Sequence, residues 1–145
     1  MRELPRQLSA DELAELFEGR TRFVERLAAL EDPLGAATDL IARVPEDELL
    51  EALAAHPQIG AKNLSARSAR EQGEHADPVV ETELMYLNQV YEEKFGFRFV
   101  VFVDRRPKSE ILEVLRGRIE HDRDEELRTA MTELVAIARD RWTNS

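Results

Sequence analysis

Cysteine is absent from this chain, and with it go disulfides, thiolate nucleophiles, zinc ribbons and iron–sulfur ligation. Glycine and proline are scarce, six of each among 145 residues, which suits long regular elements better than a loop-rich chain. No stretch approaches the about 18 consecutive apolar residues that mark a membrane helix. The amino terminus, MRELPRQLSADEL, lacks the apolar run of a signal peptide, so the expectation is a cytoplasmic protein with no membrane contact. Positive charge is the last deficit: 20 Lys and Arg stand against 30 Asp and Glu, a formal charge of −10. Nucleic-acid affinity comes chiefly from clustered Lys and Arg, so no nucleic-acid partner is expected. A small anion would also meet net repulsion, screened beyond about 8 Å, and needs a cation placed locally for it.

What is present is the composition of one globular body. With 43% hydrophobic and 34% charged residues, a chain of this length suits a single domain that removes about 70% of its unfolded surface from water; it is expected to span residues 1–145. Ser9-Ala10-Asp11-Glu12 reads as a capping box, opening a helix that buries Leu13, Leu16 and Phe17. A second segment places Phe23, Val24, Leu27 and Leu30 at helical spacing and stops at Asp32-Pro33, because proline disfavours a helical residue before it. A third, near Ala36 to Val44, carries Leu40, Ile41 and Val44. Pro45 opens a fourth, with Glu46, Asp47 and Glu48 against the helix dipole and a stripe of Leu49, Leu53 and His56. Asp77-Pro78 starts what spacing makes the longest helix, Val79 to Phe95, with Val80, Leu84, Leu87 and Tyr91 on one face and Gly96 ending it. Phe97 to Val103 is the only aromatic and β-branched run; it favours extended backbone but has no comparable run to pair with. Two closing helices follow, Ser109 to Ile119 and Glu125 to Trp142. The predicted fold is all-α: a single-domain helical bundle crossed by one extended segment at residues 97–103.

Three features stand out from this pattern, and each has an ordinary reading beside a functional one. His56 continues the apolar stripe of the fourth helix, and Pro57 makes it that helix's end; it reads as a core histidine or as an acid–base group. Ser68, Glu71 and Gln72 share one helix face. They form a solvated surface unless they face His56, where a carboxylate within about 4–6 Å would favour the imidazolium and suit a general acid. Arg141 falls on the stripe Leu127, Met131, Leu134, Ala138 of the last helix, either snorkelling to water or supplying the missing local cation as a planar fork for a carboxylate. Arg118 competes for that role from the flank of its own stripe. The three histidines show no metal-ligand spacing, and no nucleophile elbow, P-loop or dinucleotide fingerprint occurs. Chemistry here is therefore expected to rest on acid–base transfer and electrostatic positioning, without metal.

Five short motifs then occur in order: His-Pro-x-Ile-Gly at 56–60, Ser-x-x-Glu-Gln at 68–72, Leu-Asn-x-x-Tyr at 87–91, Lys-Phe-Gly-Phe-x-Phe-Val at 94–100 and Ile-Ala-Arg-x-Arg at 137–141. In these the chain resembles the 2-oxo-4-hydroxy-4-carboxy-5-ureidoimidazoline (OHCU) decarboxylases, which form (S)-allantoin in urate breakdown. The likeness is close from residue 50 to 142 and general before that. It implies an all-helical homodimer acting on a small anionic ureidoimidazoline with no cofactor. By resemblance, His56 and Glu71 are the catalytic pair. Pro57, Ser68, Gln72 and the segment Phe99, Val100, Val101, Phe102 and Val103 line the substrate site, and Arg141 binds substrate. Two departures are visible: Arg98 stands where many members have proline, and the amino-terminal half lacks the tryptophan of many relatives. The readings that compete with a decarboxylase are an acidic helical interaction module and a lyase or hydrolase of another ureido acid.

Overall fold

The computed structural model describes residues 7–56 and 77–144. Seven helices occur among them: α1 Ala10–Phe17, α2 Arg22–Ala28, α3 Pro33–Ile41, α4 Glu46–Ala55, α5 Pro78–Phe95, α6 Lys108–Ile119 and α7 Arg123–Thr143. The described residues contain no strand, so the all-α expectation holds. α7 is the central post, with α1, α3 and α4 against it, α2 between α1, α3 and α4, and α5 paired with α6.

Local chemistry explains most element starts. Ser9 Oγ accepts from Glu12 N–H and Glu12 Oε1 accepts from Ser9 N–H, both at 3.1 Å, which closes the capping box. Asp77 and Asp122 cap α5 and α7 through one side-chain bond each, accepting from Val79 N–H and Glu125 N–H at 2.8 Å. α2 has only seven residues, too few to be stable alone. Its Phe23, Val24 and Leu27 are wholly buried, each such burial contributing about 1.5–3 kcal/mol, so packing rather than propensity holds it.

Three boundaries differ from expectation. α2 stops at Ala28, because the next two amides bond three residues back, Ala29 to Arg26 and Leu30 to Leu27, which tightens the last turn and ends the helix. α3 starts at Pro33, not Ala36, because Asp32 turns left-handed (φ 50°) and caps it by accepting from Gly35 N–H at 3.3 Å. α7, with 21 residues, is longer than α5 with 18, since Asp122 caps it earlier than Glu125. In α5 the buried stripe is Leu84, Asn88, Tyr91 and Phe95, with Val80 and Leu87 only partly buried.

The segment 97–103 crosses the bundle without a partner strand, as expected. Buried backbone polar groups still need partners, and side chains supply several. Arg118 Nη1 donates to Val100 O (2.6 Å), Arg106 donates to Phe102 O (2.5 Å) and Val103 O (3.1 Å), and Glu133 accepts from Phe102 N–H (3.2 Å). Phe97 and Phe99 pack edge-on to Tyr91 with centroids 5.9 and 5.3 Å away. A tight turn through left-handed Asp104 and Arg105 (φ 48° and 62°) then leads into α6.

Candidate active site

His56 is the C-cap residue of α4. Its φ and ψ of −84° and 134° are extended, the conformation expected of a residue that precedes proline. Its N–H still bonds back to Leu53 O at 3.2 Å, and its carbonyl accepts from Arg98 Nη1 at 2.8 Å. The imidazole is therefore fixed at both ends of its own backbone while its ring points inward, 8% exposed. Nδ1 is buried and has no hydrogen-bond partner among the described residues.

Such a nitrogen costs about 1–3 kcal/mol if nothing meets it. Burial and then the Arg141 charge push the imidazole pKa down to about 4, with Arg98 adding to the effect and Glu18 opposing it. In these surroundings the ring is neutral at pH 7. The expectation of a raised pKa rested on an acid close by, and Glu71, like Pro57, Ser68 and Gln72, lies outside the described residues.

Arg141 does not snorkel. It is 4% exposed, on the α7 stripe where Leu127, Met131, Leu134 and Ala138 are also buried. Nη1 donates to Leu16 O at 2.8 Å and Nη2 lies 3.2 Å from Glu18 Oε1. Both groups belong to the carboxyl end of α1, where orphan carbonyls and the negative end of the dipole favour a cation. The structure thus places Arg141 where its charge acts on His56.

Arg118 is buried too (5% exposed), but it is committed elsewhere. It pairs with the fully buried Glu126, holds Val100 O and lies over the Phe99 ring at 4.7 Å. Glu126 also accepts from Tyr91 OH at 2.6 Å and faces His121 Nδ1 at 3.0 Å. This cluster is a strut for the crossing segment. Among the segment residues, Phe99, Val100, Val101 and Val103 are buried and Phe102 partly so; the Phe99 ring is taken up by packing with Tyr91.

Arg98 lines a cleft of about 380 Å³ with Leu50, Ala54, Glu92, Gly96 and Phe97, where the ends of α4 and α5 meet. Two residues of this neighbourhood escaped the sequence reading. Glu18 follows the last residue of a predicted helix and carried no visible signal. Glu126 sits in an acidic first turn, Asp124-Glu125-Glu126, which reads as dipole complement rather than as a buried partner. Among the described residues no group of three or more His, Cys, Asp or Glu could hold a metal ion.

Among the described residues, then, an all-α fold holds a buried imidazole and a buried guanidinium whose charge acts on it. The chain belongs to the OHCU decarboxylase family, whose model matches residues 2–143. It is 30% identical to the uric acid degradation bifunctional protein PucL of Bacillus subtilis, over 96% of this chain and 30% of that protein. It is also 30% identical to a 2-oxo-4-hydroxy-4-carboxy-5-ureidoimidazoline decarboxylase of Halalkalicoccus jeotgali, over 71% of this chain and 61% of the relative. The chain thus spans less than two thirds of either relative's length. A crystal structure of OHCU decarboxylase in the presence of (S)-allantoin superposes with a TM-score of 0.75 at 26% identity, covering 92% of this chain and 96% of that one.

Proposed function

We propose that this chain decarboxylates 2-oxo-4-hydroxy-4-carboxy-5-ureidoimidazoline to (S)-allantoin, with His56 as the proton-carrying group and Arg141 as the cation for the substrate carboxylate. The observation that carries the reading is the buried Nδ1 of His56, which has no hydrogen-bond partner among the described residues and lies under the influence of the Arg141 charge. Membership of the family and the named activity of its relatives support it.

The chemistry fits a site without a cofactor. When the bond to the carboxylate breaks, carbon dioxide leaves and the electron pair enters the conjugated C=N of the ring, whose nitrogen takes up a proton to give an enol, so no separate electron sink is required. The enol hydroxyl then loses its proton as its carbon becomes a carbonyl, and a proton arrives at the carbon bearing the ureido group. Delivery from one face yields one enantiomer. A neutral imidazole is a poor donor; burial depresses it most, and the Arg141 charge next. A bound carboxylate offsets that charge and draws the imidazole pKa upward, toward the range useful for proton transfer. Glu71, with Ser68 and Gln72, would hold the hydroxyl and ureido groups and favour the imidazolium. Pro57 and the backbone of Phe99 to Val103 would form the wall.

A homodimer and a cytoplasmic location belong to the same reading. The exposed Val79, Met85 and Tyr86 of α5, at 73%, 71% and 64%, are a surface a second copy would cover, and light scattering tests it. No described helix is long and apolar enough to cross a membrane.

The direct test is circular dichroism during enzymatic urate oxidation. Added protein should hasten the appearance of optically active allantoin, whereas a racemic product at the uncatalysed rate would end the proposal. A noncatalytic acidic helical module predicts that second outcome.

A further inference from the structure

The turn that closes α1 holds an unusual pair of residues. Glu18 is the C-cap in left-handed conformation, φ 62° and ψ 26°, a position normally filled by glycine or asparagine because a Cβ is strained there. A glycine is at hand, one residue on. Gly19 fits closely where it stands, since a Cβ there would lie 3.0 Å from Ala55 Cβ, tighter than ordinary contact, and Ala55 is the last residue of α4, next to His56. The turn therefore touches the imidazole's helix with its glycine and accepts strain at the residue before. Strain of this sort persists where the surroundings demand a particular side chain, and it is a pointer to function.

The side chain in question reaches Arg141. Glu18 Oε1 is 3.2 Å from Nη2, and the carboxylate is largely buried at 15% exposed against 1% for the arginine side chain. Leu16 O takes Nη1 at 2.8 Å. A planar guanidinium gripped at two nitrogens by one helix end has its plane fixed.

We propose that Glu18 is a positioning residue for the reaction: from the strained turn closing α1 it fixes the plane of the Arg141 guanidinium beside His56, so that a carboxylate-bearing substrate meets that cation in one pose. This deepens the proposed function and rests on its assignment of Arg141. Among the described residues the charges facing His56 come from three elements, Arg141 of α7, Arg98 of the crossing segment and Glu18 itself, and of these Glu18 is the one whose charge favours the imidazolium.

Two variants separate positioning from folding. Glu18→Ala removes the carboxylate and keeps the strain; Glu18→Gly removes both. Glu18→Gly is expected to melt at the higher temperature of the two, yet both should raise KM about ten-fold, with kcat changed much less. A structural role makes activity follow stability, so wild-type KM in Glu18→Gly overturns the proposal. NMR of the Arg141 side chain gives a readout independent of turnover. Its Nη2 protons should exchange faster in both variants than in the wild type, and unchanged protection in Glu18→Gly also overturns it. A wild-type protein without turnover would sink the decarboxylase reading, while the exchange result would still decide whether Glu18 holds Arg141.

Discussion

Arg118 and Arg141 are both buried helical arginines, 5% and 4% exposed, and they do different work. Around Arg118 the polar groups answer one another: Glu126 meets Arg118, Tyr91 OH and His121, and the guanidinium also takes Val100 O. Around Arg141 the seat is the end of α1, and the neighbouring imidazole keeps a buried nitrogen with no partner among the described residues. Burial of a charge does not by itself mark a functional site, because structural ion pairs are buried too. The distinguishing feature is a polar atom beside the charge that the described fold does not satisfy.

The sharpest way to break this contrast is to damage the strut. Glu126→Gln leaves the Arg118 guanidinium buried without its counter-charge, and urea unfolding should show a loss of about 3–5 kcal/mol. A loss below 1 kcal/mol would mean the cluster is not structural. Next in size is the pH dependence conferred by His56. Its pKa falls from 6.5 to about 4 on folding, so as pH drops the unfolded chain takes up the proton first. Its contribution is therefore fully present above about pH 6.5 and is lost as pH falls toward 4, worth about 3 kcal/mol over that span. Urea midpoints of wild type and His56→Gln should converge, or cross in favour of the variant, between pH 7 and pH 4.5; a constant gap contradicts the depressed pKa.

Arg141→Lys keeps the charge and loses the planar fork, so KM should rise about ten-fold with a smaller change in kcat. Equal kinetics would move the substrate cation elsewhere. The smallest effect belongs to Arg98→Gln, which removes the charged donor to the part-buried His56 O at a cost of about 1 kcal/mol. It should also raise the imidazole pKa in an NMR titration. No rise would separate Arg98 from the ring electrostatically.

Much of this was legible in the residues themselves. Ser9 and Glu12, Asp77 before Pro78, and the pre-proline His56 all follow from local hydrogen-bonding and steric rules, and these act wherever the chain lies. The break in an otherwise apolar stripe marked Arg141 because a period of 3.6 residues carries the direction of each side chain. The crossing segment was visible from its β-branched and aromatic run, though not the side chains that satisfy its backbone. Glu18 was invisible for a different reason. Its left-handed turn depends on the close approach of Gly19 to Ala55, 36 residues away by position, and its role on a partner in the last helix. Arg118, expected at the flank of its stripe, lies on the buried face itself with Ile111 and Leu115, and only the tertiary placement of Glu126 shows why a charge is tolerated there. Long-range pairings of this kind have no local signature.

The most direct test of the account is the turnover of a folded His56→Asn variant, followed by the optical activity of allantoin during urate oxidation. If the imidazole carries the proton, the rate of (S)-allantoin formation falls about 10²- to 10⁴-fold while the helical spectrum is kept. A variant that folds and turns over at close to the wild-type rate would contradict it.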